Sequence, residues 1–193
     1  MEHLHSAATV LARLRLLFDA GVQALARSCM EDGRLSARRL DEHQVASFEL
    51  AWAGAELLAA ETAIGALTPA SAPMQAQLAL VFAADAVVAL LDRLDMVYAE
   101  TGLDPAEVDH LRAAPEWRAL RQAAGSAKAL QAAGRGVIEA QGLVGEITLD
   151  EPHALAQDAF RRFAEEVVAP QAEAIHRDDL TVPEPLLQSM REM

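Results

Sequence analysis

The sequence predicts an all-α fold, and three observations carry that reading. Hydrophobic residues fill 52% of the 193 positions while aromatics fill only 4%, and the apolar share rests on Ala and Leu, the strongest helix formers. Apolar positions recur at spacings of three, four and seven, the signature of one helix face. The turns between the long periodic runs are short, as in an up-and-down bundle.

The first helix carries Leu4, Leu11, Leu14, Phe18, Gly21 and Leu25 on one stripe and is predicted to end near Glu31, before Gly33. Ser36 is placed to cap a second helix, in which Val45, Phe48, Trp52, Ala55 and Ala59 keep the three-four rhythm and are assigned to the core. The loop TPASAP, Thr68 to Pro73, closes it. The third helix is the most regular, with Leu80, Ala84, Val87, Leu91, Leu94 and Tyr98 inward and Asp85, Asp92 and Arg93 mostly on other faces. After TGLDP, where Asp104 can cap and Pro105 suits a first turn, shorter pieces over Ala106–Ala113, Glu116–Ala124 and Ser126–Ala133 are predicted to close the bundle. The stretch Gly134 to Pro152 holds four glycines, has weak periodicity and ends in an Asp-Glu-Pro that reads as a helix start. A domain boundary is placed there, giving a helical bundle over 1–142, a linker over 143–152 and a further helical segment over 153–193. In that last segment Leu155, Ala159, Phe163 and Val167 share a stripe, flanked by Phe160, Ala164 and Val168. Pro170 is predicted to break or kink it.

With 16 Lys and Arg against 29 Asp and Glu, the net charge of −13 repels nucleic-acid phosphates and anionic lipid alike. Neither is predicted as a partner. The N-terminus shows no basic leader with a long apolar core, and the longest uncharged run, Thr62 to Ala84, is interrupted by Pro69, Pro73, Gln75 and Gln77. The single Cys29 allows no internal disulfide. A cytoplasmic location is the expectation.

Little in the first 150 residues carries chemistry. GRGVIEAQG spaces its glycines like a phosphate loop but follows no strand and lacks the Lys-Ser/Thr or third glycine that such loops use, so it reads as linker. A two-metal carboxylate site needs Glu-x-x-His on two helices; only Glu107 to His110 fits. His3 and His5, two apart, diverge on a helix and read as solvated. Cys29 has no base nearby in sequence and reads as a small buried apolar residue. Asp41, Glu42 and His43 read as a charged helix start, and Trp52 and Trp117 as core anchors.

From Asp150 onward the succession FRRFAEEVVAP, an acidic-basic helix with Glu173 and His176, and VPEPLLQSMREM resembles the start of the flavin-dependent acyl-CoA dehydrogenases. Upstream, RLSARRLDEHQVASFELAWAGAELLAA and LDPAEVDHLRAAPEWRAL resemble the helical N-terminal extension of that family's methylsuccinyl-CoA dehydrogenase branch. The resemblance implies an N-terminal piece of an enzyme that dehydrogenates a branched acyl-CoA across its α and β carbons. In that enzyme a carboxylate base takes the α proton, FAD takes the β hydride, and an electron-transferring flavoprotein takes the electrons. It also implies a homo-oligomer. The family's base and flavin contacts lie downstream of these helices, so no catalytic, cofactor-binding or metal residue is carried over. Glu165, Glu166 and Glu173 match no catalytic motif. The piece is expected to be inactive and flavin-free alone; the competing expectation is a stand-alone helical interaction or oligomerisation module.

Overall fold

The computed structural model describes residues 2–142, 144 and 149–192. The fold is all-α, with one two-stranded ribbon. The chain divides into two compact units, Met1–Gly145 and Glu146–Met193.

The first unit is built on three long helices, α1 (Glu2–Ser28), α3 (Gln44–Gly65) and α4 (Pro73–Thr101), packed against one another. Between α1 and α3 lie strands β1 (Met30–Glu31) and β2 (Arg34–Leu35) and the short α2 (Ala37–Glu42). The predicted continuation of α1 to Glu31 is corrected here. Asp32 and Gly33 take φ of 50° and 75°, the left-handed pair of a tight hairpin turn that an Asp-Gly dipeptide favours. Ser36 is a helix cap, its hydroxyl accepting from the Arg39 N–H at 3.5 Å, but of the short α2 and not, as predicted, of the helix that carries Val45 to Ala59, which starts separately after His43. The loop before α4 is held by the Thr68 N–H donating to the Ser71 hydroxyl at 2.9 Å.

Helix α4 is the centre of the core. Its Ala84, Val87, Leu90, Leu91, Leu94, Val97 and Tyr98 side chains are buried among Leu11 and Leu14 of α1 and Leu50 and Leu57 of α3. Among the described residues it is also the one helix long and apolar enough to cross a membrane by length and composition. Gly102, at φ 71°, ends it. Helices α5 (Ala106–Arg112) and α6 (Pro115–Ala124) then close over α1 and α4. Val108, Leu111, Trp117 and Leu120 are buried in the same core, and the Asp104 carboxylate accepts from the Ala106 N–H at 3.0 Å.

Helix α7 (Ala127–Glu139), capped by the Ser126 hydroxyl on the Ala129 N–H at 3.2 Å, lies against α4 and α6. It runs through Gly134 and Gly136, so the reading of GRGVIEAQG as linker is corrected. A Cβ on Gly136 would fall 1.9 Å from the Met74 methyl, the end of a flexible side chain that would have to turn aside. Of the linker predicted over 143–152, residues 143 and 145–148 lie outside the described residues, and Glu151 and Pro152 already belong to the next helix.

The second unit consists of α8 (Glu151–Phe163), a five-residue π turn (Ala164–Val168), α9 (Ala169–Arg177) and α10 (Glu184–Arg191). Asp150 caps α8 by accepting from the His153 N–H at 3.1 Å. Of the predicted break or kink at Pro170, the break does not occur: helical structure continues through it. In an α-helix its ring would strike the carbonyl four residues back. Here the Ala169 N–H reaches the Ala164 carbonyl, five residues back, in the widened turn just ahead of the ring. Leu186 is the buried side chain of this unit, while Leu155 and Phe160 are exposed.

Candidate functional site

The predicted core stripe of α3 is inverted in the structure. Val45, Phe48 and Trp52 are 62%, 58% and 50% exposed, and Ala55 and Ala59 are exposed with them. The buried stripe is Ala46, Leu50, Ala53, Leu57 and Ala60. Three of these five are alanines, set beside Leu50 and Leu57 where α3 comes close to its neighbours. A Cβ on Gly54 would sit 3.1 Å from Cζ of Phe18, and one on Gly21 of α1 would sit 3.3 Å from Val97 and 3.5 Å from Leu50. Bulky side chains would not fit there. The helix is therefore apolar nearly all round, which is unusual for a helix with one free face.

The free face is organised. Phe48 and Trp52 meet edge to face at 6.3 Å between ring centroids, a favourable aromatic geometry. Beside them Arg93 of α4 forms ion pairs with Glu49 and, at 3.4 Å, with Glu56. Partial burial pulls the Arg93 pKa down, but the Glu49 hydrogen bond and the Glu56 charge outweigh it, and the guanidinium is held more firmly protonated than usual. On α4, Ala89, Asp92 and Met96 form a shallow hollow with Glu49 and Arg93.

Two deeper cavities lie in the first unit. One, of about 450 Å³, opens between α4, α6 and α7 and is lined by Leu78, Phe82, Val88, Trp117 and Leu130, with Asp85 and Arg121 as its charged groups. The other, of about 370 Å³, lies between α1, the hairpin and α3, and is lined by Phe18, Val22, Leu25, Leu35, Leu40 and the Cys29 thiol. Both are of a size for a small apolar group. Neither offers a built pyrophosphate site: the second has no cation in its lining, and the first sets its one cation, Arg121, in the same wall as the Asp85 carboxylate. No residue of this chain is assigned to FAD.

The remaining sequence candidates are dispersed. Cys29 is buried, as predicted, with Sγ 3.9 Å from the Arg39 carbonyl. Trp117 is a core anchor, whereas Trp52 is not. Asp41 and Glu42 sit in the last turn of α2 rather than at a helix start, and His43 joins α2 to α3, its Nδ1 2.9 Å from a Glu100 carboxylate oxygen on α4. His3 and His5 are exposed. Glu107 and His110 lie on α5, and no group of three or more His, Cys, Asp or Glu able to hold a metal occurs among the described residues. Glu165 and Glu166 are exposed on the π turn, and Glu173 pairs with Arg177.

No protein-family model matches the chain, and no curated protein sequence matches it.

Proposed function

We propose that the second unit is the opening helical segment of an acyl-CoA dehydrogenase-type flavoenzyme and that the first unit is a helical extension preceding it. The parent reaction would be α,β-dehydrogenation of a branched acyl-CoA, with methylsuccinyl-CoA as the candidate substrate. FAD and an electron-transferring flavoprotein would serve the whole enzyme in the cytoplasm, and this portion by itself would be inactive.

The observation that carries the reading is the state of α8 and the π turn. Leu155 and Phe160 are more than half exposed and the helix buries no side chain, although its residues follow an amphipathic pattern. An apolar helix face of this kind fits a segment that packs against further elements of a larger catalytic domain. The succession α8, Pro170, α9, Val182-Pro183-Glu184-Pro185 and α10 is also the one on which the resemblance rests.

The test is the reading frame beyond the codon for Met193. A continuing frame that encodes a Gly-rich, strand-forming, flavin-binding domain supports the proposal, and a stop codon at that point overturns it. In parallel, the purified 193-residue chain should be colourless; flavin copurifying at about one per chain would refute the assignment of all flavin contacts elsewhere.

A further inference from the structure

The cavity between α4, α6 and α7 holds two charges that the fold leaves unused. Its volume of about 450 Å³ is walled by Leu78, Phe82, Val88, Trp117 and Leu130. Asp85 lines it from α4 and Arg121 from α6. On α4, Phe82, Asp85 and Val88 fall three apart, and on α6 Trp117 and Arg121 fall four apart, so each charge shares a helix face with apolar side chains. Among the described residues neither charge has a hydrogen-bond or ion-pair partner, and the two do not pair with each other.

A second hollow, of about 250 Å³, shares Val88, Trp117 and Arg121 with this cavity and adds Leu91 and Arg112. Arg112 differs from Arg121 in that Asp92, Asp95 and Asp109 already hold it. The unpaired guanidinium therefore stands where the two spaces adjoin, beside the buried Trp117.

These charges restrict what can fill the space. An uncharged apolar molecule would take water from both groups and return no bond to either, which costs free energy that apolar contact must offset. An organic anion would bond Arg121 but meet the Asp85 carboxylate and a chain of net charge −13. An organic cation would bond Asp85 but meet Arg121, with Arg112 beyond it. A molecule that carries both charges on an apolar body satisfies each group and adds no net charge. We infer that this cavity is a site for a small apolar zwitterion, of the chemical class of the amino acids with hydrocarbon or aromatic side chains. Its carboxylate is received by Arg121, its ammonium by Asp85, and its side chain by Phe82, Val88 and Leu130. The inference is independent of the enzymatic context proposed above.

Trp117 supplies the reporter. Trp52→Phe leaves it as the one tryptophan of the chain, and Trp52 lies outside the lining of this cavity. Fluorescence titration of that full-length variant, excited where phenylalanine does not absorb, compares three probes of similar shape: phenylalanine, hydrocinnamate, which lacks the amine, and phenethylamine, which lacks the carboxylate. Phenylalanine should shift the Trp117 emission with a dissociation constant of roughly 1 mM or tighter. The two singly charged probes should each bind at least about tenfold more weakly, the worth of one charge-assisted bond. Asp85→Asn should weaken phenylalanine by about tenfold and leave hydrocinnamate no worse, whereas Arg121→Gln should weaken both by about tenfold and spare phenethylamine. Both side chains are exposed, so the far-ultraviolet circular dichroism of the two variants should be unchanged, and the crossed pattern separates a lost charge from a lost fold. No response to phenylalanine or to leucine up to about 10 mM would overturn the proposal. So would hydrocinnamate or phenethylamine binding as tightly as phenylalanine, or an affinity for phenylalanine that either substitution leaves unchanged.

Discussion

The Tyr98 hydroxyl on α4 donates to the Leu17 carbonyl on α1 across 3.0 Å, joining residues 81 positions apart. Leu17 lies near the middle of α1 and Tyr98 near the end of α4, so the bond ties the lengthwise register of the two helices. Burial, and secondarily the charge of Glu107, push the phenol pKa up.

Replacing Tyr98 by Phe should cost about 0.5–1.5 kcal/mol, the net worth of one such bond, and lower the melting temperature. The raised pKa also sets a pH dependence. The neutral phenol is favoured in the folded state, so its contribution is intact below the ordinary tyrosine range and is lost as pH rises through the higher folded value. Wild type should therefore lose more stability than Tyr98→Phe in the alkaline range. Parallel pH profiles for the two chains would refute this.

Leu91 and Trp52 should respond oppositely to truncation. Leu91 is 2% exposed within the core, so Leu91→Ala should cost about 2–5 kcal/mol. Trp52→Ala should cost under about 1 kcal/mol. Equal losses in denaturant titrations would contradict the inward placement of the Ala46 to Ala60 stripe.

Gly54 tests the close approach of α1 and α3. Enlarging it to Leu would drive a side chain into the Phe18 ring, and overpacking of this kind costs about 1–3 kcal/mol. Gly65→Leu, where a Cβ meets nothing within 4 Å, should be tolerated. Thermal melts of the two variants give the comparison.

At the hairpin, the Ser36 hydroxyl donates to a Glu31 carboxylate oxygen at 2.9 Å and Arg38 pairs with the other at 3.0 Å. These bonds, Ser36 first, hold the Glu31 pKa below the usual glutamate value. The associated stabilisation is present above the unfolded glutamate pKa and fades as pH falls through the lowered one. In an NMR titration, Ser36→Ala should move the Glu31 midpoint upward; an unchanged midpoint would discard the assigned partners.

Hydrogen exchange should separate the two units. Amides over 153–168, in helices that bury no side chain, should exchange faster than those over 83–98 in α4. Equal protection would mean that α8 and the π turn are as firmly supported as the bundle core.

How far the fold could be read from the residues depended on how each helix divides its apolar surface. In α4 the inward positions are large and the outward ones include Asp85, Asp92 and Arg93, so periodicity picks the right face. In α3 both faces are apolar, and the reading followed the aromatic bulk of Phe48 and Trp52 over a stripe in which Leu50 and Leu57 alternate with Ala46, Ala53 and Ala60. The structure decided otherwise: Leu50 and Leu57 enter the core, and alanines fill the positions between them. The signal that could have been found was Gly54 beside Ala53, together with the ordered three-four spacing of a second stripe. The Asp32-Gly33 turn was legible and passed over, because a two-residue strand gives no period. Gly134 and Gly136 were read as breakers although both lie within α7. No catalytic residue was named in advance from the motifs, and the groups that give the surface its character, Arg93 with its two glutamates, are joined only through tertiary contact between α3 and α4.

The π turn at Ala164–Val168 has a consequence for how this rod aligns with others. A widened turn holds one residue more than the α-helical turn it replaces, yet the axis continues. A homologous helix without it would be one residue shorter at this point and would carry no proline where Pro170 stands. Aligned without a gap, such a helix would match α8 and then fall out of step by about 100° per residue, the rotation of one helical position, mispairing every face of α9. A single-residue gap between Ala164 and Val168 restores the phase. Deleting Val168 from this chain should do the same physically, closing the widened turn to an α-helical one and leaving Ile175 on the same side of the rod.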